Sequence, residues 1–324
     1  MTADLRKLVD RLKAVGDSSR IRLLAVCAQG EWTVSELARV LGQSQPRVSR
    51  HLRILAEAGL LERLPEGAWV FYRRAVEGPG AAVLDLLLDQ LPVDDPTLAG
   101  DRERLQRVRE ERRREVEAFF DSRALVWNSE RDLGVDGSLV DAALLDLVRG
   151  HPVGSLLDVG TGTGHVLRLL APHVEHAVGV DLSRDMLKVA RVELDRAGIR
   201  NARVQQADMY ALPFPDGSFD LVTFHQVLHF AADPAAALAE AARVLAPGGR
   251  LVVVDLARHD REDLRALRRH RRLGFSDGEM DRWFRRVGLQ PGTPRRLAGE
   301  ELTVVLWHGA RAGRPARRLG REAA

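Results

Sequence analysis

A single cysteine, Cys27, stands in a chain of 324 residues. It leaves no partner for an internal disulfide and no thiolate set for a cysteine-built metal site. Nor does any apolar run approach the roughly 20 residues that a bilayer span needs. The opening stretch, MTADLRKLVDRLKAV, is charged and amphipathic, without the continuous apolar segment of a secretory leader. These absences point to the cytoplasm and away from the membrane. Net charge is only +3, but it is unevenly spread. Residues 1–74 carry 13 Lys and Arg against 8 Asp and Glu, and the last fourteen residues carry five Arg against one Glu. Local positive excess suits a polyanionic partner, although solubility accounts for it almost as well. The length exceeds one ordinary core, so two domains are expected.

What is present begins with helix signals. Leu5, Leu8, Val9, Leu12 and Val15 recur at helical spacing and end near Gly16. Ser18 or Ser19 can cap a second helix, with Ile21, Leu24, Ala25 and Ala28 on its apolar face. Thr33-Val34-Ser35-Glu36 is a capping-box pattern that opens a third helix through Leu41. After a tight turn at Gly42, Ser44 can cap a fourth helix, with Pro46 tolerated in its first turn. Val48, Leu52 and Leu55 face its core, while Ser44, Gln45, Arg47, Ser49, Arg50, His51 and Arg53 make the polar side. Leu60–Leu64 and Ala68–Arg73 then flank Pro65-Glu66-Gly67, a hairpin signal. Helices, turn, polar face and hairpin in this order predict an α+β winged helix-turn-helix. Arg and Gln on its second helix are the side chains that pair with guanine and adenine edges. Arg63 and Arg73 on the wing can reach phosphates.

The run Gln43 to Leu52, with Leu55, Ala58-Gly59-Leu60-Leu61 and Trp69-Val70-Phe71-Tyr72, closely resembles the arsenical-resistance-repressor (ArsR) family of winged-helix regulators. The resemblance covers about the first ninety residues. It implies a homodimer on double-stranded DNA, released when a metal or metalloid binds. The chain departs from that pattern at the sensor. Thr33-Val34-Ser35 stands where metal-sensing members carry Cys-Val-Cys, and hydroxyls are poor ligands for soft ions. The helix expected at Ala81–Leu91 has no His, and Cys27 reads as a packing residue. DNA binding is therefore expected to be intact and the usual signal lost. Val83, Leu84, Leu86, Leu87, Leu88 and Leu91 make that helix apolar enough for dimerisation, or for packing on its own domain.

Residues 93–118 form a charged connector. Seven Arg and six acidic residues in 101–117 read as an exposed, ion-paired helix. Phe119, Phe120, Leu125, Val126 and Trp127 form an aromatic cluster. Trp127 either packs on the domain that follows or acts as a lid over a ligand.

From Ser155 the pattern changes again. Leu156, Leu157 and Val159 make a buried strand that runs into Gly160-Thr161-Gly162-Thr163-Gly164 and then a helix. Strand, glycine turn, helix opens a nucleotide-binding βαβ unit. A second strand ends at Asp181, 23 residues beyond Asp158, near the spacing at which an acid bonds ribose hydroxyls. Further strands are predicted at Ala202–Asp208, Ser218–Phe224, Arg250–Asp255, around Gln290 and at Thr303–Trp307, with helices at Pro234–Leu245 and Asp277–Val287. Alternation of this kind predicts an α/β Rossmann-like domain with a mostly parallel sheet.

These residues match class I S-adenosylmethionine-dependent methyltransferases. The motifs are Leu157 to Gly164, Val180-Asp181, Asp208-Met209 with Leu212-Pro213-Phe214, Phe219-Asp220-Leu221-Val222, and Leu245 to Leu251 around Pro247-Gly248-Gly249. The resemblance covers about 120–308 and implies a sheet of seven strands. It further implies that Gly160, Gly162 and Gly164 meet the methionine moiety of S-adenosyl-L-methionine, with Asp158 near its ammonium group. Asp181 would hold the ribose, Asp208 the adenine amine, and Leu182 and Met209 the ring. Thr161 and Met186 complete the cofactor-contacting set. His225, His229 and Tyr210 are the catalytic candidates. His225 and His229 have helical metal-ligand spacing, but no adjacent carboxylate or cysteine completes a site, and no metal is expected. The arginine-rich segment from His259 to Phe275 can cover an anionic substrate or extend a DNA surface, or be a solvated helix.

The multidomain arrangement expected is a winged-helix domain at 1–92, the connector at 93–118, a methyltransferase domain at 119–310 and a disordered basic tail at 311–324. The function expected is DNA-binding transcriptional regulation coupled to methylation of a small-molecule acceptor. The competing reading is a regulator whose methyltransferase-like domain only senses S-adenosylmethionine or S-adenosylhomocysteine. A lone cysteine argues against arsenite as the acceptor.

Overall fold

The computed structural model describes residues 5–66, 69–75, 78–121, 136–149, 153–264 and 270–313. The chain divides into two compact units, 1–123 with 188–206, and 124–187 with 207–324.

The first unit opens with helices α1 (Leu5–Val15) and α2 (Ser18–Cys27). Asp17, not Ser18 or Ser19, caps α2 by accepting the Arg20 N–H at 3.1 Å. Strand β1 (Trp32–Thr33) leads into α3 (Val34–Leu41). The capping box forms in full: the Glu36 N–H donates to Thr33 Oγ1 (3.3 Å) and the Thr33 N–H to Glu36 Oε2 (2.8 Å). Gly42 closes α3 in the left-handed region, at φ 67°. Helix α4 (Gln45–Glu57) buries Val48, Leu52 and Leu55 completely. Ser44 sits at its N-cap but makes no capping hydrogen bond. The hairpin is β2 (Leu61–Glu66) and β3 (Trp69–Arg74), and β1 adds to its edge in the order β1-β3-β2. Helix α5 (Gly78–Asp89) approaches so closely that a Cβ on Gly80 would collide with the Gly59 carbonyl oxygen.

Helix α6 (Pro96–Asp121) corrects the expectation of a solvated connector. Leu105 and Val108 are 1 % and 3 % exposed and belong to the same core cluster as Leu23, Leu37 and Leu52. Asp101 accepts from Arg22 (2.5 and 2.6 Å) and Arg104 (2.5 Å), and Arg112 donates to Glu36 at 2.6 and 2.7 Å. The acids and arginines of α6 are matched to α2 and α3 rather than only along their own helix. Leu98, Leu105 and Val108 provide a sparse apolar stripe that charge counting overlooks. Helix α1 departs in the opposite sense. Only Ala14 and Val15, at its end, are buried, while Leu5 and Leu12 are 72 % and 52 % exposed.

Arg191 belongs to this unit. Its guanidinium donates from Nε to Glu31 (3.0 Å), from Nη1 and Nη2 to the two oxygens of Glu66 (3.3 and 2.5 Å), and from Nη2 to the Val204 carbonyl (3.2 Å). It also lies over the Phe71 ring, 3.8 Å from the centroid. All three charged side chains are buried.

The second unit opens with α7 (Gly137–Arg149). It then runs through β4 (Val153–Val159), α8 (His165–Leu170), β5 (Val174–Asp181) and the start of α9 (Arg184–Arg196). β6 (Ala202–Gln206) falls within the residues of the first unit, and from 207 onward come β7 (Phe219–His225), α10 (Pro234–Val244), β8 (Leu245–Leu256) and α11 (Asp277–Arg286). The last strands are β9 (Leu289–Pro291), β10 (Arg295–Ala298) and β11 (Thr303–Arg311). The sheet has eight strands rather than seven, in the order β10-β11-β8-β7-β4-β5-β6 with β9 also on β11. β4 pairs in parallel with β5 and β7, and β7 with β8, while β9, β10 and β11 are antiparallel additions. Pro247-Gly248-Gly249 lies inside β8, where the register with β7 shifts, and is not a turn before it.

The aromatic cluster of Phe119, Phe120, Leu125, Val126 and Trp127, with the lid reading of Trp127, lies outside the described side chains. So do Arg265, Arg268 and Arg269, and the tail from 314 onward, while Arg311 belongs to β11. Among the described residues no helix is long and apolar enough to cross a membrane.

The Arg191 cluster yields a stability prediction. Replacing Arg191 with Met leaves Glu31 and Glu66 buried without their cation, so stability should fall by about 3–5 kcal/mol. Urea unfolding followed by circular dichroism measures this, and an unchanged midpoint would reject the role.

Candidate functional site

Between β4 and β7 the strand order reverses, because β4 leads to β5 on one side and pairs with β7 on the other. Ligands of open α/β sheets bind at such a switch point, outside the carboxyl ends of the strands. Gly160-Thr161-Gly162-Thr163-Gly164 leaves β4 there, and Gly160, Gly162 and Gly164 all have positive φ (72°, 52° and 78°). A Cβ on Gly160 would collide with Val227, whereas the space around Gly162 is open.

Four of the five loop N–H groups bond within the protein. Those of Gly160 and Thr161 donate to the Val180 carbonyl (2.8 and 2.9 Å), that of Gly162 to Asp181 Oδ2 (2.9 Å), and that of Gly164 to the Thr161 carbonyl (2.9 Å).

Carboxylates surround the loop. Asp158 is 1 % exposed and accepts the Thr223 hydroxyl at 2.6 Å. Burial pushes its carboxyl up to about 6, against the opposing effect of the Thr223 bond. Asp181 ends the neighbouring strand and accepts from Gly162 and from Ser183 (2.8 Å). Burial raises its carboxyl too. The Ala207 N–H donates to the Asp181 carbonyl (3.1 Å), so Asp208 follows beside it, exposed and accepting from the Tyr210 N–H (3.0 Å). Leu182 is 59 % exposed, Met186 half-buried, and Met209 packs on the core. Thr161 is buried.

The catalytic candidates separate. The Tyr210 hydroxyl accepts the Asp233 N–H at 3.1 Å, which places it at the N-cap of α10. His225 ends β7. Burial, and then the nearby His165, push its imidazolium down to about 4, so it is neutral at physiological pH. His165, the first residue of α8, pairs with Asp141 of α7 at 2.7 Å. His229 is buried and its Nδ1 lies 2.7 Å from Asp255 Oδ1. Between the two histidines Gln226 holds φ at 51°, a left-handed conformation costing about 1–2 kcal/mol for a residue with a Cβ. Reading the sequence alone misses Asp255, Thr223, His165 and Asp141. Asp255 closes an apolar strand as Asp158 and Asp181 do, and that signal would have found it.

On the first unit, Gln45, Arg47, Ser49, Arg50 and Arg53 of α4 are exposed together, and so are Ser44 and, on β2, Arg63. Two expectations need correction. His51 is 9 % exposed, because it falls on the inward stripe of Val48, Leu52 and Leu55. Arg73 is buried and donates to Glu62 at 2.8 Å, so it is not a phosphate-facing wing residue.

Two family models match separate stretches of the chain. Residues 17–63 match the model of bacterial regulatory proteins of the arsR family, and residues 157–253 match a methyltransferase domain. An uncharacterized methyltransferase of Bacillus subtilis, YcgJ, is 40 % identical over 100 residues, which is 31 % of this chain. A demethylmenaquinone methyltransferase of Thermus thermophilus is 47 % identical over 114 residues, 34 % of this chain. The matches span 40 % and 51 % of those relatives' own lengths. Among solved structures, the cyclase SpnF aligns with a TM-score of 0.50 at 17 % identity, covering 61 % of this chain and 96 % of that one, a likeness of fold alone.

The raised Asp158 carboxyl has a thermodynamic consequence. A folded-state value above the unfolded one makes its contribution to stability complete below about 4 and lost as pH rises through about 6. Asp158→Asn avoids burying the charge and should gain, relative to wild type, on the order of 3 kcal/mol between those limits. Denaturant unfolding at pH 4 and pH 7 checks this; a constant difference between the two proteins would contradict it.

Proposed function

From a chain that carries an ArsR-family helix-turn-helix at 17–63 and a class I methyltransferase domain at 157–253, we propose a DNA-binding transcriptional regulator that is also an S-adenosylmethionine-dependent methyltransferase. The observation that carries the cofactor assignment is the set of carboxylates, Asp158, Asp181 and Asp208, gathered beside the glycine loop. A dinucleotide would bring a pyrophosphate close to these three carboxylates. S-adenosylmethionine brings an ammonium, a ribose diol and an adenine amine, all of which seek acceptors, and when bound it supplies an activated methyl group. Asp158 suits the ammonium, Asp181 the diol and Asp208 the amine. Leu182, left exposed beside Asp181, and Met209 offer apolar surface for the ring, with Thr161 and Met186 in the same set.

Positioning supplies much of the rate of a displacement at an activated carbon. A rigid loop tied to β5 serves that end. The acceptor is a small molecule; names of similar proteins do not transfer to it, since the matches span only about half of those proteins' length at most. On the first unit, the exposed arginines and Gln45 of α4 suit the major groove of double-stranded DNA. The exposed apolar row of α1 and Leu86 of α5, 71 % exposed, suit a homodimer.

Calorimetry tests the cofactor reading. S-adenosylmethionine and S-adenosylhomocysteine should both bind, and Gly160→Ala should abolish binding. A cationic group beside Asp158 favours its ionised form, so affinity should rise with pH through about 6, with proton release on binding below that value. No heat with either compound would reject the assignment. On DNA sequences selected by the protein from a random library, Arg50→Ala should weaken binding by about 1–3 kcal/mol if its side chain reads a base. Equal affinity and sequence preference in a gel shift would remove Arg50 from the interface.

A further inference from the structure

The His229–Asp255 pair is more completely built than a core histidine requires. Asp255 is 0 % exposed at the carboxyl end of β8, and His229 is 3 % exposed in the turn that follows β7, the adjacent parallel strand. One Asp255 oxygen meets His229 Nδ1 at 2.7 Å, and the other accepts the His229 N–H at 3.2 Å. The Leu256 N–H also donates to the first oxygen, at 2.7 Å. The His229 carbonyl accepts from the N–H groups of Arg271 and Arg272, both at 3.1 Å. Its ring packs against Phe230 and His270, with centroids 4.1 Å away in each case. The His229 backbone is thus held at both its N–H and its carbonyl, and Nδ1 is committed to a carboxylate. A carboxylate on Nδ1 selects the tautomer in which that nitrogen carries the hydrogen. Nε2 then keeps its lone pair, and among the described residues it makes no hydrogen bond.

We propose that His229 is the general base of the methyl transfer, with Asp255 as its positioning residue. The acceptor class follows: a hydroxyl, phenol or acidic carbon that must lose a proton, rather than a thioether or tertiary amine that need not. As the acceptor atom gains the methyl group, its bond to hydrogen breaks and the proton passes to Nε2. The electron pair of the breaking carbon–sulfur bond returns to sulfur, leaving a thioether and an imidazolium paired with Asp255. Burial holds the His225 imidazolium down at about 4. This assignment rests on the S-adenosylmethionine reading above.

The sulfonium allows a test that needs no acceptor. If Nε2 abstracts the acceptor's proton, it lies one acceptor atom from the methyl carbon, about 6 Å away. A positive charge at that range should lower proton affinity at His229 about tenfold or more. The groups that face the ring, Asp255, His270 and His259, are the same in both complexes. Imidazole ¹⁵N spectra of the full chain, saturated first with S-adenosylmethionine and then with neutral S-adenosylhomocysteine, report the His229 titration midpoint. Its signals are assigned by triple resonance and by their loss in His229→Gln. A midpoint at least one pH unit lower with the sulfonium is expected. In Asp255→Asn, the share of the Nδ1–H tautomer should fall while calorimetric affinity for the cofactor is retained. Equal midpoints in the two complexes, or a ring that does not titrate, would overturn the proposal and leave a structural brace. Failure of both compounds to bind would instead overturn the cofactor reading.

Discussion

The second unit depends on how the glycine loop is tied to the strand beside it. The Gly160 and Thr161 N–H groups on the Val180 carbonyl, and the Gly162 N–H on Asp181, lock the end of β4 to the end of β5. Gly160 and Gly162 hold positive φ there, and Gly160 packs too close to Val227 for a Cβ, which is why glycine stands at both positions. The locking also decides chemistry. Donors used inside the protein cannot serve a phosphate, and the carboxylate that receives one of them keeps a second oxygen on Ser183.

The same rule, an acid at the carboxyl end of an apolar parallel strand, recurs at Asp158, Asp181 and Asp255. Environment then separates their roles. Asp158 accepts the Thr223 hydroxyl and is raised by burial. Asp181 is satisfied by backbone, and Asp255 by a histidine and two backbone donors. The positive φ at Gln226 falls between the two histidines of this edge. Strain of this kind persists where surrounding structure over-determines it, and it gathers at functional sites.

The first unit is organised by buried charge. Asp101, Glu36 and Glu66 each meet an arginine distant in sequence. That is why the connector could not be read from composition: an arginine facing water and one reaching a buried carboxylate on another helix look alike in a sequence. His51 and Arg73 mislead in another way. Residue type alone suggests a DNA contact for both, whereas their positions on the α4 stripe and in the β2–β3 hairpin set which way they face.

Local chemistry was legible. The capping box at Thr33, the left-handed close at Gly42, the glycine loop and the acids ending β4 and β5 follow from residue type at fixed spacing, because each depends on atoms within a few positions. The α/β alternation and the parallel core of the sheet follow from periodicity for the same reason. Only the tertiary structure decided which acid meets which base, whether a polar side chain faces the core, and which loop donors remain free. Those outcomes depend on groups brought together from distant parts of the chain, and the His229–Asp255 pair, the Arg191 cluster and the burial of α6 are of that kind.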